Sequence, residues 1–152
     1  MVNVFLCRHG EASFDAPNDR LRPLTETGIA NTKQCVSEME AVLKGVVTQI
    51  WSSDLLRAQQ TAESFAEALE IEVTVQTFLR PDSDPALVVK KLAECSENDC
   101  ILVVAHMPLL GDLVSLLREG NFFTPYNFQT SEVVHLHGEL AAAGLMERVA
   151  LS

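Results

Sequence analysis

A short apolar run near the start of the chain ends abruptly in charged and imidazole side chains. Residues 4–7 are apolar, and Arg8, His9 and Gly10 follow them directly. Such a run with a turn signal after it is typical of a buried strand, and in open α/β sheets ligands bind just beyond the carboxyl ends of such strands. Arginine offers a planar cation that matches a phosphate oxyanion, and a histidine nitrogen is largely neutral, hence nucleophilic, near pH 7. We therefore expect Arg8 and His9 to lie at a ligand site.

Two further segments place a similar side chain after a strand-like run. Arg57 follows the run 46–51, and His106 follows the run 100–105. Two arginines and two imidazoles around one small pocket suit a phosphoryl group, whose transition state spreads charge over its equatorial oxygens. No P-loop sequence and no carboxylate cluster for Mg²⁺ accompanies them. We expect metal-free phosphoryl transfer to a side chain, with no cofactor.

Between the strand-like runs, apolar residues recur at helical spacing. Helices are predicted at about 28–43, 55–69, 86–93 and after Pro108, and further strands at 71–75, 132–137 and 145–151. Thr25, Asp84 and one of Ser53 and Asp54 are the expected N-caps. Strands that alternate with helices predict an α/β fold. We expect one three-layer domain over residues 1–152, with a mostly parallel central sheet, helices on both faces and a terminal hairpin.

The motifs together resemble the histidine phosphatase superfamily, which includes phosphoglycerate mutases and acid phosphatases. The matching segments are 8–10, 22–28, 52–62 and 103–108. The resemblance implies a phosphoglycerate mutase-like fold and a transient phosphoryl group on His9. It also implies a phosphate clamp formed by Arg8, Arg57 and His106.

Within that superfamily, the short chain and segment 22–28 resemble the phosphohistidine phosphatases of the SixA type. By this resemblance Arg22 reaches the phosphate from the loop before the first helix, and the other interpretation of Arg22 is an ordinary loop cation. The implied substrate is a phosphohistidine protein, with a histidine-containing phosphotransfer domain as partner. The alternatives are a small-molecule phosphomonoesterase or mutase of the same superfamily, and a phosphoprotein-binding module without turnover. The presence of His9 argues against the last.

The segment after the third strand bears on the substrate. Mutases and acid phosphatases of the family place a carboxylate there to protonate the leaving oxygen, but residues 78–84 lack the usual Glu. Asp82 could replace it, or could be a solvated charge beside Arg80. An imidazole, with a pKa of about 6.5, departs with little help. A weak or absent acid therefore favours phosphohistidine as the substrate.

Composition excludes several other classes of function. A net charge of −10 speaks against nucleic acid and anionic membranes as partners. No apolar run approaches the roughly 18 residues of a membrane span, and the start of the chain lacks the basic region of an export signal, so we expect a cytoplasmic protein. Four cysteines without CxxC spacing are expected to be buried free thiols: Cys7, Cys35, Cys95 and Cys100. The oligomeric state is not encoded in these patterns.

Two patterns near the end of the chain have two interpretations each. Residues 120–131 form a loop that either folds onto the core or forms an apolar wall of the site. Its aromatic residues are Phe122, Phe123, Tyr126 and Phe128. His135 and His137 share one face of a strand, which is the spacing of a two-histidine metal site. No third ligand is evident, and we expect them instead on a half-exposed sheet edge.

Overall fold

The computed structural model describes residues 1–151, which form six strands and four helices. The strands are Val2–Arg8 (β1), Gln49–Ser52 (β2), Val73–Val75 (β3), Ile101–Ala105 (β4), Val133–Gly138 (β5) and Met146–Val149 (β6). The helices are Glu26–Leu43 (α1), Leu56–Leu69 (α2), Pro85–Ala93 (α3) and Leu109–Glu119 (α4). Short 3₁₀ turns lie at Asp19–Leu21 and Thr77–Leu79. Each predicted element is present, with ends shifted by a few residues.

The strands form one sheet in the order β3-β2-β4-β1-β5-β6. The first four in this order are mutually parallel, and β5 and β6 are antiparallel to their neighbours. The mostly parallel sheet and the terminal hairpin are thus confirmed. The expected edge position of His135 and His137 is wrong, because β5 lies inside the sheet. The ring of His135 stacks on Phe5 at 4.2 Å between centroids, and its Nε2 lies 2.8 Å from the Asn3 side-chain oxygen.

Alternation along β1 divides the core between the two faces of the sheet. Val4 and Leu6 pack on the face covered by α3 and α4, whereas Phe5 and Cys7 pack on the face covered by α1 and α2. Successive side chains of a strand point to opposite faces, so a strand that is apolar at every position needs a layer of helices on each side. The predicted three-layer α/β fold is confirmed. Within residues 1–151 none of the helices has both the length and the apolar composition of a bilayer span.

Two of the expected helix caps form and one does not. The side chains of Thr25 and Asp84 each accept a hydrogen bond from a backbone N–H in the first turn of α1 and α3. At α2, however, Leu55 is the N-cap residue and its side chain makes no cap. The expected cap by Ser53 or Asp54 is wrong because both side chains have long-range partners, which are described with the site.

The aromatic loop after α4 divides between core and surface. Phe128 is fully buried, and Tyr126 packs edge-on against it with 5.1 Å between ring centroids. Phe122 and Phe123 are exposed and follow the end of α4. Because α4 begins at the carboxyl edge of the sheet and runs away from it, this exposed pair lies near the opposite edge and does not line the site.

Candidate active site

The carboxyl ends of three neighbouring parallel strands bring the predicted site residues together. Arg8 ends β1 beside Ala105, the last residue of β4, and His106 comes next in the chain. Arg57 lies in the first turn of α2, just after β2, which pairs with β4. The rings of His9 and His106 lie 5.0 Å apart between centroids. The structure thus gathers Arg8, His9, Arg57 and His106 at one edge of the sheet.

His9 has the protonation state that a nucleophile needs. Its Nδ1 lies 2.7 Å from the carbonyl oxygen of Gly10. A carbonyl oxygen only accepts hydrogen bonds, so Nδ1 carries the ring proton and Nε2 keeps the lone pair. Burial lowers the pKa of His9 to about 4, opposed by the Gly10 hydrogen bond and assisted by the positive charges of Arg57 and Arg8. His9 is therefore neutral at pH 7, with Nε2 as its nucleophilic atom.

The turn at Gly10, directly after His9, is held by hydrogen bonds that connect it with the start of α2. The Gly10 N–H donates to Thr61 Oγ1 at 3.0 Å, and that hydroxyl donates to the carbonyl oxygen of Arg57 at 2.8 Å. A Cβ atom at position 10 would lie 2.7 Å from Thr32 Oγ1, which leaves space only for glycine. The backbone of His9 is thus positioned directly against the first turn of α2.

Three buried side-chain nitrogen atoms within residues 1–151 have no hydrogen-bond partner: Arg8 Nε, Arg57 Nε and His106 Nδ1. Buried polar groups are otherwise almost always paired, and leaving one unpaired costs about 1–3 kcal/mol. All three belong to the predicted phosphate clamp. The arrangement suits an anion, because a tetrahedral oxyanion can accept from several donors at once.

One other nitrogen of each arginine, Nη1, is fixed by a backbone carbonyl. Arg8 Nη1 donates to Phe128 O at 2.8 Å, and Arg57 Nη1 donates to Asp19 O at 2.8 Å. Arg57 is only 4% exposed, so its charge is not solvated as that of a surface cation is. A cation in the first turn of a helix is unfavourable, and an anion bound beside Arg57 would offset that cost.

His106 is almost completely buried, at 1% exposure. Burial, and then the nearby charges of His9 and Arg57, lower its pKa to about 3. It is therefore neutral at pH 7 and carries one ring proton. Its Nε2 lies 2.5 Å from Ser53 Oγ. His106 thus acts as a single hydrogen-bond donor rather than as a cation.

Arg22 is bound by its own loop. Its Nε donates to Ser13 O at 3.0 Å, its Nη2 to Ala12 O at 3.3 Å and its Nη1 to the Asp19 carboxylate at 3.3 Å. Its guanidinium also covers the exposed ring of Phe14 at 3.8 Å from the centroid. Arg22 is close enough to the site for its charge to contribute to the lowered pKa of His9. A direct contact with phosphate remains a prediction.

Asp19 is a member of the cluster that the sequence did not reveal. Its carboxylate lies 3.4 Å from Arg57 Nη2 and 3.3 Å from Arg22 Nη1. These arginines lower the pKa of Asp19, against the effect of burial, so it is an anion beside the clamp. The only local signal is its position three residues before Arg22, which does not distinguish a site residue from a surface ion pair.

Asp54 connects the start of α2 to the segment after β3. Arg80 donates to both carboxylate oxygens of Asp54, at 2.9 and 2.6 Å. This bidentate pair lowers the pKa of Asp54 and explains why Asp54 does not cap α2. Asp82, the candidate acid, is exposed. Within the part of the chain that the structure describes, no group of three or more His, Cys, Asp or Glu residues is placed to hold a metal ion.

We expect the ring protons of His9 to titrate with a midpoint near pH 4. A histidine whose folded pKa is depressed stays neutral down to that value, so its NMR signals should hold constant from pH 8 to roughly pH 5. The measurement is a pH titration by ¹H–¹³C NMR in phosphate-free buffer, with His9→Asn to assign the signal. A midpoint near the ordinary value of about 6.5 would contradict the desolvated site.

Comparisons with known proteins find similar sequences and a similar solved structure. A family model described as the histidine phosphatase superfamily (branch 1) matches residues 4–81. The phosphohistidine phosphatase SixA of Escherichia coli is 32% identical over 136 residues, which cover 87% of this chain and 83% of that protein. A SixA homolog of Haemophilus influenzae is 26% identical over 148 residues, which cover 89% of this chain and 87% of the homolog. A solved structure of the protein histidine phosphatase SixA complexed with tungstate superposes with a TM-score of 0.87 at 29% identity, over 98% of this chain and 95% of that chain.

Proposed function

Because the chain belongs to the histidine phosphatase superfamily, we propose that it hydrolyses phosphohistidine on a protein, with His9 as the transient phosphoryl acceptor. The observation that carries the proposal is the set of unpartnered buried nitrogens, within the described residues, on Arg8, Arg57 and His106 around a neutral His9. The similarity to SixA proteins supports the substrate. Tungstate bound by a similar structure supports a site for a tetrahedral oxyanion.

In the first half-reaction, His9 Nε2 attacks the phosphorus in line with the bond to the substrate imidazole. The N–P bond to His9 forms as the N–P bond to the substrate breaks, and the electron pair of the broken bond stays on the substrate nitrogen. A substrate ring that is protonated on its other nitrogen leaves as neutral imidazole. The His9 ring becomes cationic and keeps its Nδ1 proton on the Gly10 carbonyl.

In the second half-reaction, water attacks the phosphorus and the bond to His9 breaks. The water supplies the fourth oxygen of the released phosphate and both of its own protons. The electron pair of the broken N–P bond returns to His9 Nε2. In both steps Arg8, Arg57 and His106 donate to the equatorial oxygens, where charge is spread in the transition state. These donors are buried and fixed before the substrate arrives, so the protein needs little reorganisation during the reaction.

The proposed partner is a phosphohistidine-bearing protein, in particular a histidine-containing phosphotransfer domain. We propose the cytoplasm as the compartment, since Cys7, Cys35, Cys95 and Cys100 are all free thiols, as expected in reducing surroundings. We also propose that residues 1–152 act as one domain. Arg22 belongs to this proposal as a residue that reaches the phosphate from its loop, which its contacts with Ser13 and Asp19 hold beside the clamp.

The test of the proposal is to trap the intermediate. We expect a phosphohistidine peptide to place one phosphoryl group on His9, while inorganic phosphate accumulates over many turnovers. The label should be located by mass spectrometry after an alkaline quench, because phosphohistidine is lost in acid.

Two variants control the trapping experiment. His9→Asn should carry no label, and His137→Asn, which changes a partly buried histidine of β5, should be labelled like the wild-type protein. A phosphoryl group found instead on His106 or on a Ser, Asp or Cys side chain would contradict the role of His9. Binding of the phosphohistidine peptide with neither a label on the protein nor phosphate release would indicate a phosphoprotein-binding module rather than a phosphatase.

A further inference from the structure

We infer that Ser53 is a positioning residue for this reaction: its hydroxyl donates to Nε2 of His106 and so holds the His106 ring proton on Nδ1, the buried nitrogen that has no partner within residues 1–151. The inference rests on the proposed function for its consequence in catalysis. Its structural part, the position of one proton, can be tested without turnover.

Ser53 occupies a fixed place between two strands and α2. It directly follows β2, is 0% exposed, and its backbone N–H donates to the carbonyl oxygen of Val104 in β4 at 3.4 Å. Its Oγ lies 2.5 Å from His106 Nε2 and accepts from the Leu55 N–H at 3.3 Å. Because Leu55 is the N-cap residue of α2, the backbone that positions Arg57 also orients the Ser53 hydroxyl.

The hydrogen-bond inventory around Ser53 decides the direction of the contact with His106. A hydroxyl has one proton, and the Leu55 N–H already uses Oγ as an acceptor. If His106 Nε2 also donated to Oγ, the hydroxyl proton would have no acceptor among the contacts within residues 1–151. A buried donor without a partner is costly. The hydroxyl therefore donates to Nε2, and the one proton of the neutral ring is on Nδ1.

The position of this proton decides what His106 presents to a phosphoryl group. Nδ1 is buried and unpartnered within the described part of the chain, and its ring lies 5.0 Å from that of His9. With the proton on Nδ1 the ring offers a donor to an equatorial oxygen. With the proton on Nε2 it would present a lone pair to an anion, which is repulsive. An imidazole held in the wrong tautomer costs about 10⁴-fold in kcat in a serine protease.

The chain provides a matched control for Ser53. Ser52 is also 0% exposed, but its hydroxyl donates to the backbone oxygen of Ser53 at 2.8 Å and has no contact with His106. Ser53→Ala and Ser52→Ala therefore each remove one hydroxyl oxygen from a fully buried position. Only the first removes the donor to His106 Nε2.

The experiment measures the His106 tautomer by ¹⁵N NMR in phosphate-free protein and kcat/KM with a phosphohistidine peptide. We expect Nδ1–H in the wild-type protein and in Ser52→Ala. In Ser53→Ala we expect a mixture with Nε2–H and a kcat/KM lower by roughly 10- to 100-fold, because one preorganised donor is partly lost. Ser52→Ala should remain within about threefold of wild type, as for a change that leaves the donor in place.

The outcomes separate the inference from the proposed function. Nε2–H in the wild-type protein overturns the inference even if Ser53→Ala fails to fold, and so does an unchanged tautomer in a folded Ser53→Ala. Nδ1–H in a wild-type protein that does not hydrolyse phosphohistidine supports the role of Ser53 and contradicts the proposed function alone. A loss of activity in Ser53→Ala without a change of tautomer would mean that the hydroxyl is only structural, which also overturns the inference.

Discussion

We expect kcat/KM for a phosphohistidine peptide to exceed that for phosphoserine by about 10³-fold or more, with aryl phosphates between the two. General acids typically contribute 10²- to 10⁴-fold, and the alkyl ester needs such an acid most. The alkoxide leaving group has a conjugate acid with a pKa near that of water, about 15.7, whereas imidazole has a pKa of about 6.5. Phosphohistidine therefore loses little when no acid is present.

The structure gives the physical basis for this expectation. After β3, Leu79 is buried and Arg80 is paired with Asp54. Asp82 is exposed to solvent, and the usual Glu is absent from residues 78–84. The three substrate types should be compared on one preparation of enzyme.

Substitution of Asp82 distinguishes the two classes of phosphatase. Asp82→Asn should leave hydrolysis of the phosphohistidine peptide nearly unchanged. Asp84→Asn controls for the loss of one loop charge, since Asn replaces Asp well as the N-cap of α3. Efficient hydrolysis of phosphoserine that is lost in Asp82→Asn but not in Asp84→Asn would identify a general phosphomonoesterase and contradict the preference for phosphohistidine.

We expect Arg8→Ala and Arg57→Ala each to lower kcat/KM for phosphohistidine by on the order of 10²- to 10³-fold, the usual effect of removing one preorganised oxyanion donor. Each arginine has one nitrogen already held by a backbone carbonyl and a buried Nε without a partner in residues 1–151. Because charge on the phosphoryl oxygens changes most in the transition state, a large part of the loss should fall on kcat. Steady-state kinetics of the purified variants provide the measurement.

A third arginine serves as the matched control. The side chain of Arg20 is 68% exposed and forms one ion pair within residues 1–151, with Asp54 at 4.0 Å. Arg20→Ala removes one positive charge near the site without touching the clamp, so its kcat/KM should stay within about threefold of wild type, as expected for a screened surface charge. Arg57→Lys should recover only part of the activity, because lysine keeps the charge and loses the planar fork. Equal losses in Arg20→Ala and Arg57→Ala would indicate general electrostatics instead of a specific clamp.

The local pattern of apolar residues was enough to predict the three layers of the fold. Runs that are apolar at every position, such as residues 100–105, require burial on both faces, and so they predict strands inside a three-layer domain. Thr25 and Asp84 cap their helices as expected, since a cap needs only a side-chain oxygen and a backbone N–H two or three residues away. Where a competing partner came from a distant part of the chain, at Ser53 and Asp54, the same rule gave the wrong answer.

The sequence by itself determined that Arg8, His9, Arg57 and His106 would meet, because each follows a strand and the carboxyl ends of neighbouring parallel strands share one edge. Only the tertiary structure decided what these side chains can do there. The proton on His9 Nδ1 depends on the Gly10 carbonyl, the orientation of His106 depends on a serine 53 residues earlier, and Asp19 joins the clamp from a 3₁₀ turn before α1. Hydrogen bonds have a range of about 3 Å and a strict direction, so their partners are set by the packing of distant segments, which no local pattern of residues records.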